Sequence, residues 1–288
     1  MGNRVSRGVT TFPEPSYRHP SLTAEFYETY ELEEAPRPLS TEETVFGARC
    51  KLRSSQTGER YYVLIEHCAD MYALMQLWRK ADLYLDFRAK GTIPAGVATL
   101  PPTGAPWTNW RGREERHLPR VWIVTEFVPT ILADTADMPS PLPLLAEVAQ
   151  AARSLHDAGY VHGDIAPPNI GIREGGAITL IDLGEARAVK YVPPGEGYAT
   201  SAGHEEFMSI QQHDTSVVHP ADDVESAAYV ALWCYSGLTM SSAEEKRRWL
   251  DSDDGDQVEA EIRRVARRAF AFKRHEPPSE DLYRVAVT

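Results

Sequence analysis

Residues 161–172 read VHGDIAPPNIGI, and residues 178–186 read ITLIDLGEA. Each stretch is an apolar segment that delivers polar groups at its end. His162, Gly163 and Asp164, then four residues and Asn169, form an HxDxxxxN pattern; thirteen residues after Asn169 comes Asp182-Leu183-Gly184. Each part has a role in phosphoryl transfer. Asp164 would accept or orient the proton of an attacking hydroxyl. Asn169 and Asp182 would hold Mg²⁺ against phosphate oxygens, because Mg²⁺ prefers hard oxygen ligands and draws the rest from phosphate and water. His162 would support the loop, and Gly184 would permit the turn that aims Asp182. HxD or DxG alone carries little weight. The two together, behind a helical pattern that stops at Gly159 and joined by a short hairpin, carry much more.

The bulk composition is compatible with this chemistry. The chain has 288 residues, room for one large domain or two lobes, and a hydrophobic fraction of 42% that supports a core. Its net charge of −12 and the lack of a basic stripe exclude nucleic acid as the expected partner. The densest basic clusters, EEKRRW and EIRRVARRAF, have helical patterns and read as solvated faces. Cys50, Cys68 and Cys234 form no metal or disulfide pattern, which points to a reducing cytoplasm. MGNRVSR fits N-myristoylation at Gly2 once methionine is removed; a chance match on an irregular tail fits equally well. One myristoyl chain would give only weak membrane attachment. Nothing in the sequence addresses oligomeric state.

Pattern divides the chain. Residues 1–40 are rich in Pro, Glu, Ser and Thr and read as an irregular arm. TVFGARCKL (44–52) and RYYVLIEHC (60–68) flank a turn and read as a β-hairpin. Residues 69–91 have apolar spacing for a helix, and 93–100 and 120–128 read as strands around a Pro/Gly/Trp-rich loop. Helices are expected at 142–159, 222–237 and 259–272, with short strands at 169–172 and 178–181. The expected fold class is α+β, with a small β-rich lobe over 41–127 and a larger helical lobe over 128–288.

These motifs resemble the protein-kinase-like superfamily, across most of residues 44–272. The likeness is nearest to fungal-type protein kinases and more remote to casein kinases, through GHEEFMSI (203–210) and DDVESAAYV (222–230). It implies a two-lobed fold, ATP and Mg²⁺ as cofactors, and a protein substrate. TEFVP (125–129) would be the hinge, with Thr125 as gatekeeper and the backbone of Glu126 and Val128 meeting adenine. Asp223 would hydrogen-bond the backbone of the catalytic loop, while Asp222 would cap its helix.

The sequence departs from the family pattern at several points. Only Gly47 stands where a glycine-rich loop is expected, so phosphate cradling by backbone amides should be weaker. VLIE places Glu66 where the third strand normally carries lysine, and Lys80 falls near the position of the partner glutamate on the helix. A reversed Glu66–Lys80 pair would keep a structural bridge but put a carboxylate beside phosphates, a like-charge repulsion of several kcal/mol at low dielectric. Gly47, Arg49 and Lys51 share one strand face, so Arg49 or Lys51 could supply a compensating cation; exposed hairpin charges are the alternative. Gly163 replaces the usual arginine, which disfavours switching by loop phosphorylation. His204 replaces a threonine that positions the catalytic aspartate; it either fills that role through a ring nitrogen or is a surface histidine.

Three functions follow from these residues: a Ser/Thr protein kinase with degenerate nucleotide-binding elements, a catalytically impaired pseudokinase scaffold, or a small-molecule kinase of the aminoglycoside or choline kinase type. Retention of Asp164, Asn169 and Asp182 together argues against the scaffold; the lack of an obvious large helical insertion and the casein-kinase-like helix at 222–237 argue against the small-molecule kinase.

Overall fold

The computed structural model describes residues 24–33, 37–38, 46–67, 71–91, 93–99, 107–110, 120–189, 203–215, 218–272 and 277–285. Gly2 and most of the expected arm lie outside them. The described residues fall into two compact units, one drawn from 1–69 and 101–127 and the other from 70–100 and 128–288.

The first unit is built on an antiparallel sheet. It comprises α1 (Ala24–Thr29), β1 (Tyr30–Leu32), β2 (Arg37–Pro38), β3 (Phe46–Ser54), β4 (Arg60–His67), β5 (Trp107–Trp110) and β6 (Arg120–Glu126). The strand order is β1-β3-β4-β6-β5, with β2 also paired to β3. Alternation along the strands sends Leu52, Val63 and Val124 into a shared core with Phe26, Tyr30, Leu32 and Tyr61. Residues 24–33 and 37–38 are therefore not an irregular arm. Phe26, Tyr30 and Leu32 are isolated among polar residues in the sequence, yet they are buried, and the Phe26 and Tyr30 rings lie 5.2 Å apart. A strand also forms inside the Trp-rich segment, where only a loop was expected.

The second unit opens with α2 (Met71–Lys90), a helix that the sequence assigned to the β-rich lobe. Its buried Leu83, Tyr84 and Phe87 explain the regrouping: Tyr84 donates to the Ala98 carbonyl and Phe87 packs edge-on against Tyr160, both in this unit. Among the described residues 93–99, the strand expected at 93–100 does not form. Pro94 and Gly96 break it, leaving one parallel bridge from Val97 to Leu180. A Cβ on Gly96 would meet the Ala151 Cβ at 2.6 Å, so the chain passes too close for a side chain there.

Three short strands, β7 (Thr130–Ile131), β9 (Ile170–Ile172) and β10 (Ile178–Leu180), form a small sheet, and β8 (Tyr160–Val161) pairs with β11 (Arg187–Ala188). Around them stand α3 (Pro141–Asp157), α4 (Ile210–Thr215), α5 (Pro220–Ser236), α6 (Ala243–Asp251) and α7 (Gln257–Phe270). Leu144, Leu145, Val148, Ala152 and Leu155 form the buried stripe of α3. Helix α5 is buried on nearly every side, as its apolar sequence requires. A capping box between His219 and Asp222 starts it, which gives Asp222 the capping role.

The two basic clusters are helical but not uniformly solvated. Lys246 is 0% exposed: its Nζ donates to the Glu205 carbonyl at 2.7 Å and stands 5.1 Å from the Tyr229 ring centre. Arg263 lies over Trp249 and bonds Glu259 at 2.6 Å. Long basic side chains bury their stems when an acceptor or a ring meets the head.

Candidate active site

The loop after β8 hangs on Asp223. This buried carboxylate on α5 accepts the backbone N–H groups of His162 at 2.7 Å and Gly163 at 2.9 Å, and contacts His156 Nε2 at 2.8 Å. Gly163 has φ +80, a conformation that disfavours other residues, and a Cβ would meet the Glu185 carbonyl at 3.2 Å. Gln212 fixes the loop from another side, donating to the Gly163 carbonyl at 2.9 Å. His156 and Gln212 were not foreseen. Each is a single polar residue in a helical pattern, and nothing local marks it as a partner of the loop.

His162 ties this loop to the next motif. Its Nδ1 accepts from the Asp164 N–H at 3.3 Å, so Nε2 carries the proton and donates to the Ile181 carbonyl at 3.1 Å. The Ile181 N–H in turn donates to the Asn169 carbonyl at 3.0 Å. These bonds set Asp164, Asn169 and Asp182 on adjoining backbone.

Asp164 is held by both oxygens. Oδ1 accepts from the His204 backbone N–H and meets His204 Nδ1, each at 3.1 Å; Oδ2 accepts from Asn169 Nδ2 at 2.7 Å. Burial works to raise the Asp164 pKa, but the hydrogen bonds and charge of His204 outweigh it and the net shift is downward. The Asp164 hydrogen bond raises the His204 pKa against the opposing effect of burial.

Asp182 is arranged differently. Its φ of 57 makes it the single non-glycine residue with positive φ among the described residues, a strain that concentrates at functional sites. Its Oδ1 takes both protein contacts, Lys80 Nζ at 2.7 Å and the Gly184 N–H at 3.2 Å. Among the described residues Oδ2 takes none, and the side chain is 53% exposed. The Lys80 charge, reinforced by hydrogen bonds from Lys80 and Gly184, lowers the Asp182 pKa to about 2. Gly184 does not supply the turn: the positive φ belongs to Asp182. It supplies room, since a Cβ there would lie 3.2 Å from Asp182 Oδ1 and 3.8 Å from Lys80 Nζ.

The donor set fits Mg²⁺. Asn169 spends its amide nitrogen on Asp164, leaving Oδ1 for a cation, and Asp182 offers an ionised carboxylate with one oxygen unengaged. Among the described residues no group of three or more His, Cys, Asp or Glu could hold a metal by itself. Two hard oxygens suit an ion that completes its shell with phosphate and water.

The remaining residues singled out in the sequence lie around the first unit. The boundary between units falls between Phe127 and Val128, inside the expected hinge. Thr125 and Glu126 end β6 and are half-buried, and Val128 is buried. Lys51 Nζ stands 5.9 Å from the Phe127 ring centre. Gly47 and Arg49 lie on β3, with Gly47 opposite Glu66 in the ladder. The side chains of Arg49 and Glu66 lie outside the described residues.

A β-rich unit, a helical unit and this loop arrangement define a protein-kinase-like fold. The family model described as fungal protein kinase matches residues 26–235, and the chain belongs to that family. It is also similar to cyclin-dependent kinase F-1 of Oryza sativa subsp. japonica, with 31% identity over 117 residues, 36% of this chain and 24% of that protein. The serine/threonine-protein kinase PknA of Mycobacterium tuberculosis is 29% identical over 161 residues, 52% of this chain and 36% of that protein. The chain thus spans about a quarter to a third of the length of these relatives.

Proposed function

We propose that this chain moves the γ-phosphate of ATP to a serine or threonine hydroxyl of a protein. The observation that carries this reading is Asp164 itself, fixed through both oxygens by His204 and Asn169, beside an Asp182 that keeps one oxygen open. Mg²⁺, held by Asn169 and Asp182, would neutralise charge on the phosphate oxygens. Asp164 orients the substrate hydroxyl and accepts its proton; its lowered pKa keeps it ionised for that task. His204 and Asn169 stop its carboxylate from rotating, so the hydroxyl is met in one geometry. Asp223 and Gln212 hold the loop that carries it. The names of the mycobacterial relatives support serine or threonine as acceptor.

Two kinds of acceptor separate the competing readings. With Mg·ATP, the wild type is expected to label a generic basic protein on serine or threonine, and not choline or an aminoglycoside. Labelling of the small molecules alone would indicate a small-molecule kinase. ATP binding without any transfer would indicate a scaffold whose exchanged Glu66 and sparse glycine loop have cost it catalysis.

A further inference from the structure

Helix α2 delivers a lysine to the open carboxylate of the candidate site. Lys80 is 7% exposed, and its Nζ lies 2.7 Å from Asp182 Oδ1. Its Cε stands 3.6 Å from where a Cβ on Gly184 would be, which seats the end of this lysine beside the Asp182 turn. Glu66 occupies the third-strand position that normally supplies a phosphate-binding lysine. In sequence, strand and helix still carry one glutamate and one lysine, with their expected places exchanged. A cation held by Asp182 would neutralise charge on phosphate oxygens, and an ammonium 2.7 Å from the same carboxylate could add its charge there.

We propose that Lys80 is the phosphate-binding lysine of this protein, presented from helix α2 in place of the third strand. This rests on the ATP-dependent reading above. Its ammonium contacts phosphate oxygens as a point charge while Asp182 keeps it aimed. Lys51, a substitute suggested by strand alternation, has its Nζ 5.9 Å from the Phe127 ring centre.

The test is calorimetric titration of the full chain with ATP and with adenosine, each in EDTA and in Mg²⁺. Lys80→Met should weaken ATP binding in EDTA by about tenfold or more, the scale of one charge-assisted contact, and leave adenosine binding unaltered. Lys90→Met, at the exposed end of the same helix, should bind both like wild type, and Lys80→Arg should retain part of the ATP affinity. Unchanged ATP binding by Lys80→Met overturns the proposal, as does equal loss of ATP and adenosine. If Lys80→Met melts before titration, Lys80→Gln takes its place. A wild type that binds neither ligand would overturn the ATP-dependent reading itself, an outcome distinct from both.

Discussion

Asp164 and Asp182 are both carboxylates at the ends of short apolar segments, yet the protein treats them in opposite ways. Asp164 is 15% exposed and bonded through each oxygen to neighbouring protein groups. Asp182 is 53% exposed, strained in its backbone and, among the described residues, bonded through one oxygen. A carboxylate bonded through both oxygens from within is fixed in place and keeps the lone-pair capacity to meet a proton. A carboxylate with an unengaged oxygen keeps capacity for an external cation. Asp223 shows the limit of the first case: 1% exposed, it is taken up by the loop's backbone N–H groups and the His156 ring. Under the proposed function, the difference would divide structural, proton-handling and cation-binding roles among three residues of one type.

The largest expected effect breaks the Asp164 side. Asp164→Asn should lower phosphate transfer by about 10²–10⁴-fold, the usual scale of a lost proton acceptor, with ATP binding by thermal shift retained. Transfer at the wild-type rate would remove Asp164 from the chemistry. Next, Asp223→Ala should destabilise the protein by about 2–5 kcal/mol in urea unfolding, because the buried His162 and Gly163 N–H groups lose their acceptor. A cost near zero would mean that water or relaxation replaces it.

Two smaller effects sharpen the contrast through pH. Burial lowers the Lys246 pKa to about 8, from an ordinary value near 10.5. Between those values the unfolded chain binds the proton and the folded one does not, so stability should rise with pH across that window. Lys246→Met should abolish this contribution in unfolding curves collected from pH 8 upward; an identical slope would contradict it. His204 has a raised folded pKa. Its contribution should be fully present below pH 6.5 and fade as pH rises through the raised value. At 41% side-chain exposure the difference between wild type and His204→Ala should be only about 0.2–1 kcal/mol. A difference that grows with pH would mean that the Asp164 contact does not hold the His204 proton.

Much of this site was legible because it is local. HxDxxxxN and DLG lie on one continuous stretch whose spacing survives into bonds: Asn169 reaches Asp164 across five residues, and Asp223 receives the loop as the resemblance implied. What the sequence hid was long-range or cryptic in composition. Lys80 reaches Asp182 from a helix more than a hundred residues away in the chain, and no pattern announces that meeting. Lys246 and Arg263 sit in runs of charge that look solvated, and burial depends on acceptors supplied by other elements. Phe26 and Tyr30 lie in a polar stretch whose average composition masks two core aromatic residues. The strand expected at 93–100 failed for a local reason that composition did show, since Pro94 and Gly96 stand inside it.

The division of roles between the two carboxylates is tested most directly by Mn²⁺ binding in the presence of ADP, followed by electron paramagnetic resonance. Wild type and Asp164→Asn should bind Mn²⁺ alike, and Asp182→Asn should weaken it by about tenfold or more, since it loses the ionised oxygen left open to a cation. Equal binding by wild type and Asp182→Asn, or equal loss in both variants, would contradict it.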